Sequence, residues 1–249
     1  MAVPVFESCD WRIAPAQPPL PAGSAVHVWL VELDQPEPEV QRLRRLLSAD
    51  ERARADRFHF ERDRRRFTVT RGALRTVLAE YLEVNTADVR FAYQTFGKPV
   101  LADRRGPCFN VSHSGALALI GVTGAREIGV DLEEKRPLDD LLQIARHYFS
   151  EAERRALEAL PVGLRQDGFF NCWTRKEAFI KASGEGLSVP LHAFDVSLAP
   201  GEPARLLATR TGRPLGGWRL YGLEPGPGYV GAIAVEGEAS PLERWRWAR

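Results

Sequence analysis

The chain has 249 residues, with 34 basic against 33 acidic side chains, 44% hydrophobic and 27% charged residues. That composition supports one large or two small globular domains, and a net charge of +1 gives no bulk electrostatic reason to bind nucleic acid. The longest apolar stretch, around Ala116 to Val122, falls far short of the roughly 20 residues that a membrane-spanning helix needs, and the opening MAVPVFESCDWRIAPAQPPLP lacks the basic and then apolar runs of a secretory signal, so neither membrane insertion nor export is expected.

A proline-rich loop over residues 14 to 23 is followed by Ala25 to Leu33, whose alternation of apolar and polar residues predicts a half-buried strand. Ser48 with Glu51 three residues on is a capping-box pattern that opens a helix. A second helix is predicted over Arg62 to Tyr81, with Phe67, Leu74, Leu78 and Leu82 on one stripe. Strands are expected at Val89 to Tyr93, Ala116 to Val122 and Ile128 to Leu132, and helices at Leu138 to Phe149, Glu151 to Leu160 and Asp167 to Ala182.

The second half echoes the first at an offset of about 102 to 104 residues. LSADERAR from Leu47 resembles FSEAERRA from Phe149 and RRRFTVTRGAL is answered by GFFNCWTRKEAF, while ALALIGVT from Ala116 finds its counterpart in YVGAIAVE from Tyr229 at the wider offset of 113. Two copies of one α/β unit explain this, against the alternative of chance matches between amphipathic segments. The fold class is therefore α/β (α+β), a pseudo-twofold repeat of subdomains 1–124 and 125–249. Glu177 falls opposite Ala73, and an acid gained in one copy suggests a site in the cleft between halves.

Cys9, Cys108 and Cys172 lie far apart with no C-x-x-C pair, which supports neither a disulfide framework nor structural zinc and fits a reducing cytoplasm. Lysine occurs only at Lys98, Lys135, Lys176 and Lys181 in an arginine-rich chain, so each invites a local explanation. In I-G-V-D-L-E, Ile128 to Glu133, strand alternation puts Asp131 and Glu133 on one face, where two carboxylates repel unless a cation such as Mg²⁺ or Mn²⁺ sits between them. The plainer alternative is a strand end meeting solvent, with Glu133, Glu134 and Lys135 as surface charge.

In FFNCWTRKEAFIKASGEGL, Phe169 to Leu187, Glu177 and Lys181 stand at i and i+4. They are either an ordinary helix ion pair or, given the flanking aromatics and the Gly-rich turn Ser183 to Gly186, the rim of a cleft. F-N-V-S-H-S-G, Phe109 to Gly115, lacks the geometry of a Ser–His nucleophile and reads better as an anion-holding loop through Ser112, His113 and backbone N–H groups, against a buried, hydrogen-bonded histidine. G-V-T-G-A-R-E-I-G imitates a dehydrogenase loop with the wrong glycine spacing, and no G-x-x-x-x-G-K-[ST] loop is present.

Taken in order, GKP (Gly97 to Pro99), FNVSHSG, IGVDLE and WTRKEAFIKASGEGL resemble the motifs of the 4'-phosphopantetheinyl transferases of the surfactin-synthetase-activating (Sfp) type, W-x-x-KEA branch. The resemblance runs from about Leu47 to Leu198 and weakly to Val235. It implies a cytoplasmic, monomeric pseudo-dimer that binds coenzyme A between its halves. Such an enzyme moves the phosphopantetheine arm to a serine of an apo acyl or peptidyl carrier protein, of the kind that serves fatty-acid, polyketide or nonribosomal peptide synthesis, and releases adenosine 3',5'-bisphosphate. It implies Mg²⁺ (or Mn²⁺) on Asp131, Glu133 and Glu177. It also implies coenzyme A contacts from Arg54, Arg66, Lys98, Pro99, Ser112, His113, Lys176 and Lys181, with Glu177 and Lys181 catalytic. Where relatives carry two basic residues early in the first helix, this chain has Glu51 and Arg54. The proton acceptor is Glu177 or a metal-bound water. Two other readings use the same residues: a non-catalytic carrier-protein or nucleotide-binding module, and a Mg²⁺-dependent phosphoesterase.

Overall fold

The computed structural model describes residues 11–15, 18–103, 106–184, 189–210, 212, 215–238 and 241–248. The first half runs β1 (Arg12–Ile13), β2 (Val26–Glu32), α1 (Glu37–Leu46), α2 (Ala49–Ala55), α3 (Glu61–Leu82), β3 (Phe91–Tyr93), β4 (Pro99–Leu101), β5 (Cys108–Ser114) and β6 (Leu117–Thr123). The second runs β7 (Ile128–Glu134), α4 (Leu141–Tyr148), α5 (Glu151–Ala159), α6 (Arg165–Ser183), β8 (Phe194–Val196), β9 (Leu206–Thr209), β10 (Trp218–Leu223) and β11 (Tyr229–Glu236). Strand β12 (Leu242–Arg246) follows. The mixed α/β class expected from the alternation of periods is the class observed.

Residues 11–125 and 241–249 form one compact unit, and residues 126–240 fall in the other. The N-terminal unit holds a five-stranded sheet in the order β1-β12-β2-β6-β5. Strand β12 lies parallel to β2, with Glu243 opposite His27 and Trp245 opposite Trp29. The last strand thus departs from a plain division at residue 124, because residues far apart in sequence complete one sheet. The core gathers Trp29, Val31, Leu43, Leu74, Leu78, Ile120, Trp245 and Trp247, all buried. Helix α1 has acids in its first turn (Glu37, Glu39) and Arg44 and Arg45 in its last, which complements the helix dipole. Its Leu43 meets α3 at Gly72, where an added Cβ would stand 2.7 Å from the Leu43 Cβ.

The C-terminal unit holds the antiparallel sheet β10-β11-β7 with α6 laid across β7 and β11. Small residues on the strands, Ala232 and Ala234, are fully buried, and Phe179, Phe194 and Trp218 fill the space beside them. The expected capping box at Ser48 forms, and the structure adds a second at Ser150. The Ser48 N–H donates to Glu51 at 3.0 Å and the Ser150 N–H to Glu153 at 2.9 Å.

The segment FNVSHSG differs from its expectation. It forms β5, paired with β6 from Cys108↔Thr123 to Ser114↔Leu117, so it is a strand and not a loop of free N–H groups. The alternation Phe109, Val111 against Asn110, Ser112 was a strand signal within the sequence. Helix α6 ends at Ser183, with Gly184 left-handed (φ 72°) as its C-cap. Residues 185 and 186 of the Gly-rich turn, and Cys9, lie outside the described residues. Among the described residues Cys108 and Cys172 form no disulfide. Among the described residues no helix is long and apolar enough to cross a membrane.

Candidate active site

The centre of the site is the contact between β7 and α6. A Cβ at position 129 would stand 2.0 Å from the Ala178 carbonyl oxygen and 2.3 Å from the Ala182 nitrogen, so Gly129 lets the helix backbone rest on the strand. Strand alternation puts Asp131 and Glu133 on the same side as Gly129. Helix spacing places Glu177 and Lys181 one residue before Ala178 and Ala182, along the edge of that contact. A glycine inside a strand is the sequence signal for such a close approach, and it is the site residue that motif reading passes over.

Lys181 Nζ donates to Asp131 Oδ1 at 2.6 Å, so its ion pair crosses from helix to strand. Asp131 is buried, while about a third of the Lys181 side chain stays accessible. Glu177 is half-buried. Burial and the Asp131 charge push its carboxyl above the usual carboxylate range, with Glu133 adding to the rise and Lys181 opposing it. Asp131, Glu133, Glu177 and Lys181 therefore form one electrostatic group.

Among the described residues no three His, Cys, Asp or Glu side chains already stand as a metal-binding group. The donor set itself fits a hard divalent cation. Three carboxylates oppose one another's ionisation here, and a 2+ charge at their centre would relieve that repulsion.

Lys176, expected at the phosphates, is corrected by the structure. It is fully buried on another face of α6, donates to the Leu191 and Phe194 carbonyls at 2.7 and 2.6 Å, and pairs with Glu153 at 2.8 Å. One helical step of 100° separates it from Glu177, which turns it toward α5 and β8 instead of toward the acids. Its neighbour Arg175 is buried as well and holds the Ser197 carbonyl at 2.7 Å.

The remaining expected contacts lie in the N-terminal unit. Ser112 is buried and His113 exposed, which removes the buried-histidine alternative. As neighbours on a strand they point to opposite faces of the sheet. Lys98 and Pro99 follow the tight turn at Gly97 (φ 79°), closed by a Gly97 N–H bond to the Gln94 carbonyl at 2.8 Å. Arg66 grips Asp34 through two bonds of 2.8 Å. Arg54 lies 5.5 Å above the Phe67 ring and, with Arg57 and Phe58, lines a concavity of about 390 Å³.

Glu51, set beside Arg54 in the sequence motif, has a structural job. Fully buried, it accepts from Arg71 Nε at 2.9 Å and from Arg75 Nε at 2.5 Å. Burial alone would raise its pKa, but Arg71, Arg75 and the Ser48 N–H together hold it below the usual range.

Comparison with known proteins shows the family. The model of the 4'-phosphopantetheinyl transferase superfamily matches residues 127–234, and that of the 4'-phosphopantetheinyl transferase N-terminal region matches residues 35–124. The chain is 43% identical over 225 residues to 4'-phosphopantetheinyl transferase HetI of Nostoc sp., covering 89% of this chain and 92% of that protein. It is 36% identical to ffp of Bacillus subtilis and 32% identical to Sfp of Bacillus subtilis strain 168, in both cases over 69% of this chain and 76% of the relative. Two matching models side by side, and a relative at 43% identity matched along nearly its full length, mean that this chain belongs to the 4'-phosphopantetheinyl transferases and is a transferase enzyme.

Proposed function

We propose that the enzyme transfers the 4'-phosphopantetheine arm of coenzyme A to a serine of an apo acyl or peptidyl carrier protein, acting as a single chain. The observation that carries this reading is the Lys181–Asp131 ion pair where α6 rests on Gly129 of β7, with Glu177 on the same edge. A divalent cation of the Mg²⁺ type, held by Asp131, Glu133 and Glu177, would neutralise charge on the diphosphate of coenzyme A.

Glu177 accepts the proton of the carrier serine hydroxyl. The serine oxygen forms its bond to the phosphorus that bears pantetheine. The bond from that phosphorus to the bridging oxygen breaks, and its electron pair leaves with adenosine 3',5'-bisphosphate. Lys181, aimed by Asp131, stabilises the negative charge gathering on that leaving phosphate. Ser112, His113, Lys98, Pro99, Arg54 and Arg66 serve as coenzyme A contacts from the N-terminal unit. The two guanidinium groups beside Phe58 suit a phosphorylated purine end.

The test is incubation with coenzyme A, Mg²⁺ and an apo carrier protein, read by intact mass. The carrier should gain one phosphopantetheine, and Asp131→Ala and Glu177→Gln should abolish the gain while keeping a native circular dichroism spectrum. Full labelling by either variant would reject the assigned roles. Bisphosphate release from coenzyme A without carrier would replace transfer with hydrolysis.

A further inference from the structure

The most self-contained polar group outside the site lies beneath the last strand. In β2, His27 and Trp29 face α3, and both converge on Tyr81 of that helix. The indole Nε1 of Trp29 donates to the Tyr81 hydroxyl oxygen at 3.0 Å. The indole N–H occupies one lone pair of the hydroxyl oxygen, and the buried hydroxyl's own hydrogen finds its acceptor at His27 Nδ1, 2.8 Å away, when the imidazole carries its proton on the other nitrogen. That bond assigns the imidazole its neutral form with the proton on Nε2.

The C-terminal strand seals the group. Glu243 is the register partner of His27, with Oε1 4.0 Å from Nε2, and the Trp245 ring lies 4.3 Å from the imidazole and 5.0 Å from Trp29. From β6 the partner of His27 is Val122, which carries no charge. The titratable groups facing the imidazole are thus Tyr81 of α3 and Glu243 of β12. His27, Trp29, Tyr81 and Trp245 are all at most 4% exposed.

We propose that β12 is a proton-gated latch on the N-terminal unit, with His27 as its sensor. A proton added at Nδ1 would confront the Tyr81 hydroxyl hydrogen, displace that bond and place a cation among three aromatic rings. Among the described residues, Glu243 is the acid opposite it, and its side chain is partly accessible. The relief is for β12 to leave the sheet and expose the imidazole to water. Burial already pushes His27 below its usual pKa, against the pull of Glu243. With the folded value lowered, stability is complete above the unfolded value of about 6.5 and is lost as pH falls through it toward the folded value.

Amide hydrogen exchange of the full-length protein, normalised for intrinsic rates between pH 7.5 and 5, tests the latch. Protection of residues 242–246 and of their partners in 26–30 should fall, by up to about tenfold per pH unit below about 6.5, while β7 and β11 keep theirs. Glu243→Gln removes the attraction that favours the imidazolium and should deepen the fall. Tyr81→Phe removes the opposing hydroxyl and should shrink it. His27→Asn keeps an acceptor for Tyr81 and should abolish it. Glu243→Gln changes an accessible side chain, and NMR titration of His27 in the unaltered protein, expected below about 6.5, needs no variant at all. Unchanged β12 protection down to pH 5, an ordinary or raised His27 titration, or an unaltered fall in His27→Asn would each overturn the latch.

Discussion

The two halves start from the same plan and differ in how far the long helix stands from its strand. At the repeat's offset of about 102, His27 and Trp29 of β2 answer to Gly129 and Asp131 of β7. In the first half these are large rings that hold α3 through Tyr81, and the close glycine contact of α3 is made with another helix, Gly72 against Leu43. In the second half the glycine lies on the strand, and α6 comes down until its backbone touches β7. Ala73 is fully buried at the place that Glu177 holds in α6. The repeat therefore supplies a scaffold twice. Only the half whose helix sits directly on its strand brings acids and a lysine within reach of one another.

The hidden ion pairs show a second difference. Each half buries the glutamate of its capping box, but Glu51 is held by two arginines and Glu153 by one lysine.

The largest effect should come from breaking the contact itself. Gly129→Ala must push Cβ into the Ala178 carbonyl, so we expect a loss above about 3 kcal/mol and no measurable transfer. A denaturation curve like that of the unaltered protein would refute direct helix-on-strand packing. Next is Lys176→Met, which leaves Glu153 charged and buried and should cost about 3 to 5 kcal/mol. Arg71→Met should cost less, since Arg75 still holds Glu51. Equal losses in urea would erase the distinction between the two locks.

Glu51→Gln should cost about 1 to 3 kcal/mol at pH 7. The folded carboxyl is held below its usual value, so its contribution is present above the unfolded value of about 4.3 and disappears as pH falls through the folded one. Urea midpoints of the two proteins should therefore converge in acid, and a gap that persists would contradict the assignment.

The smallest stability effect, of opposite sign, belongs to Glu177→Gln. Its carboxyl is raised, so stability falls as pH climbs through the unfolded value of about 4.3 and the loss is complete above the folded one. The variant should melt slightly higher than the unaltered protein at pH 7.5 and no higher in acid, while transfer is lost. A lower melting point at pH 7.5 would show that Glu177 is structural.

Much of this was legible in the residues. The alternation in Ala25 to Leu33 and Ile128 to Leu132, and the period of Arg62 to Tyr81 and Asp167 to Ala182, match β2, β7, α3 and α6 to within a few residues at each end. The capping box at Ser48 was explicit, and so was the placement of Asp131 and Glu133 on one strand face. Lys176 was misread because its neighbours in the motif point to the site, and adjacent helical residues share a motif without sharing a face. Ser112 and His113 were read as one loop because their hydroxyl and imidazole suggested an anion, although the same letters alternate as a strand does.

The sequence by itself determined local periods, caps, the internal repeat and the kinds of side chain offered to a phosphate chemistry, since these depend on neighbours within a turn or two of chain. The tertiary structure alone decided that the last strand joins the first sheet and that Lys181 crosses to Asp131. It also decided that Glu51 and Lys176 turn inward. Each of these rests on which distant segments come into contact, and on the loss of water that makes a buried charge seek its partner.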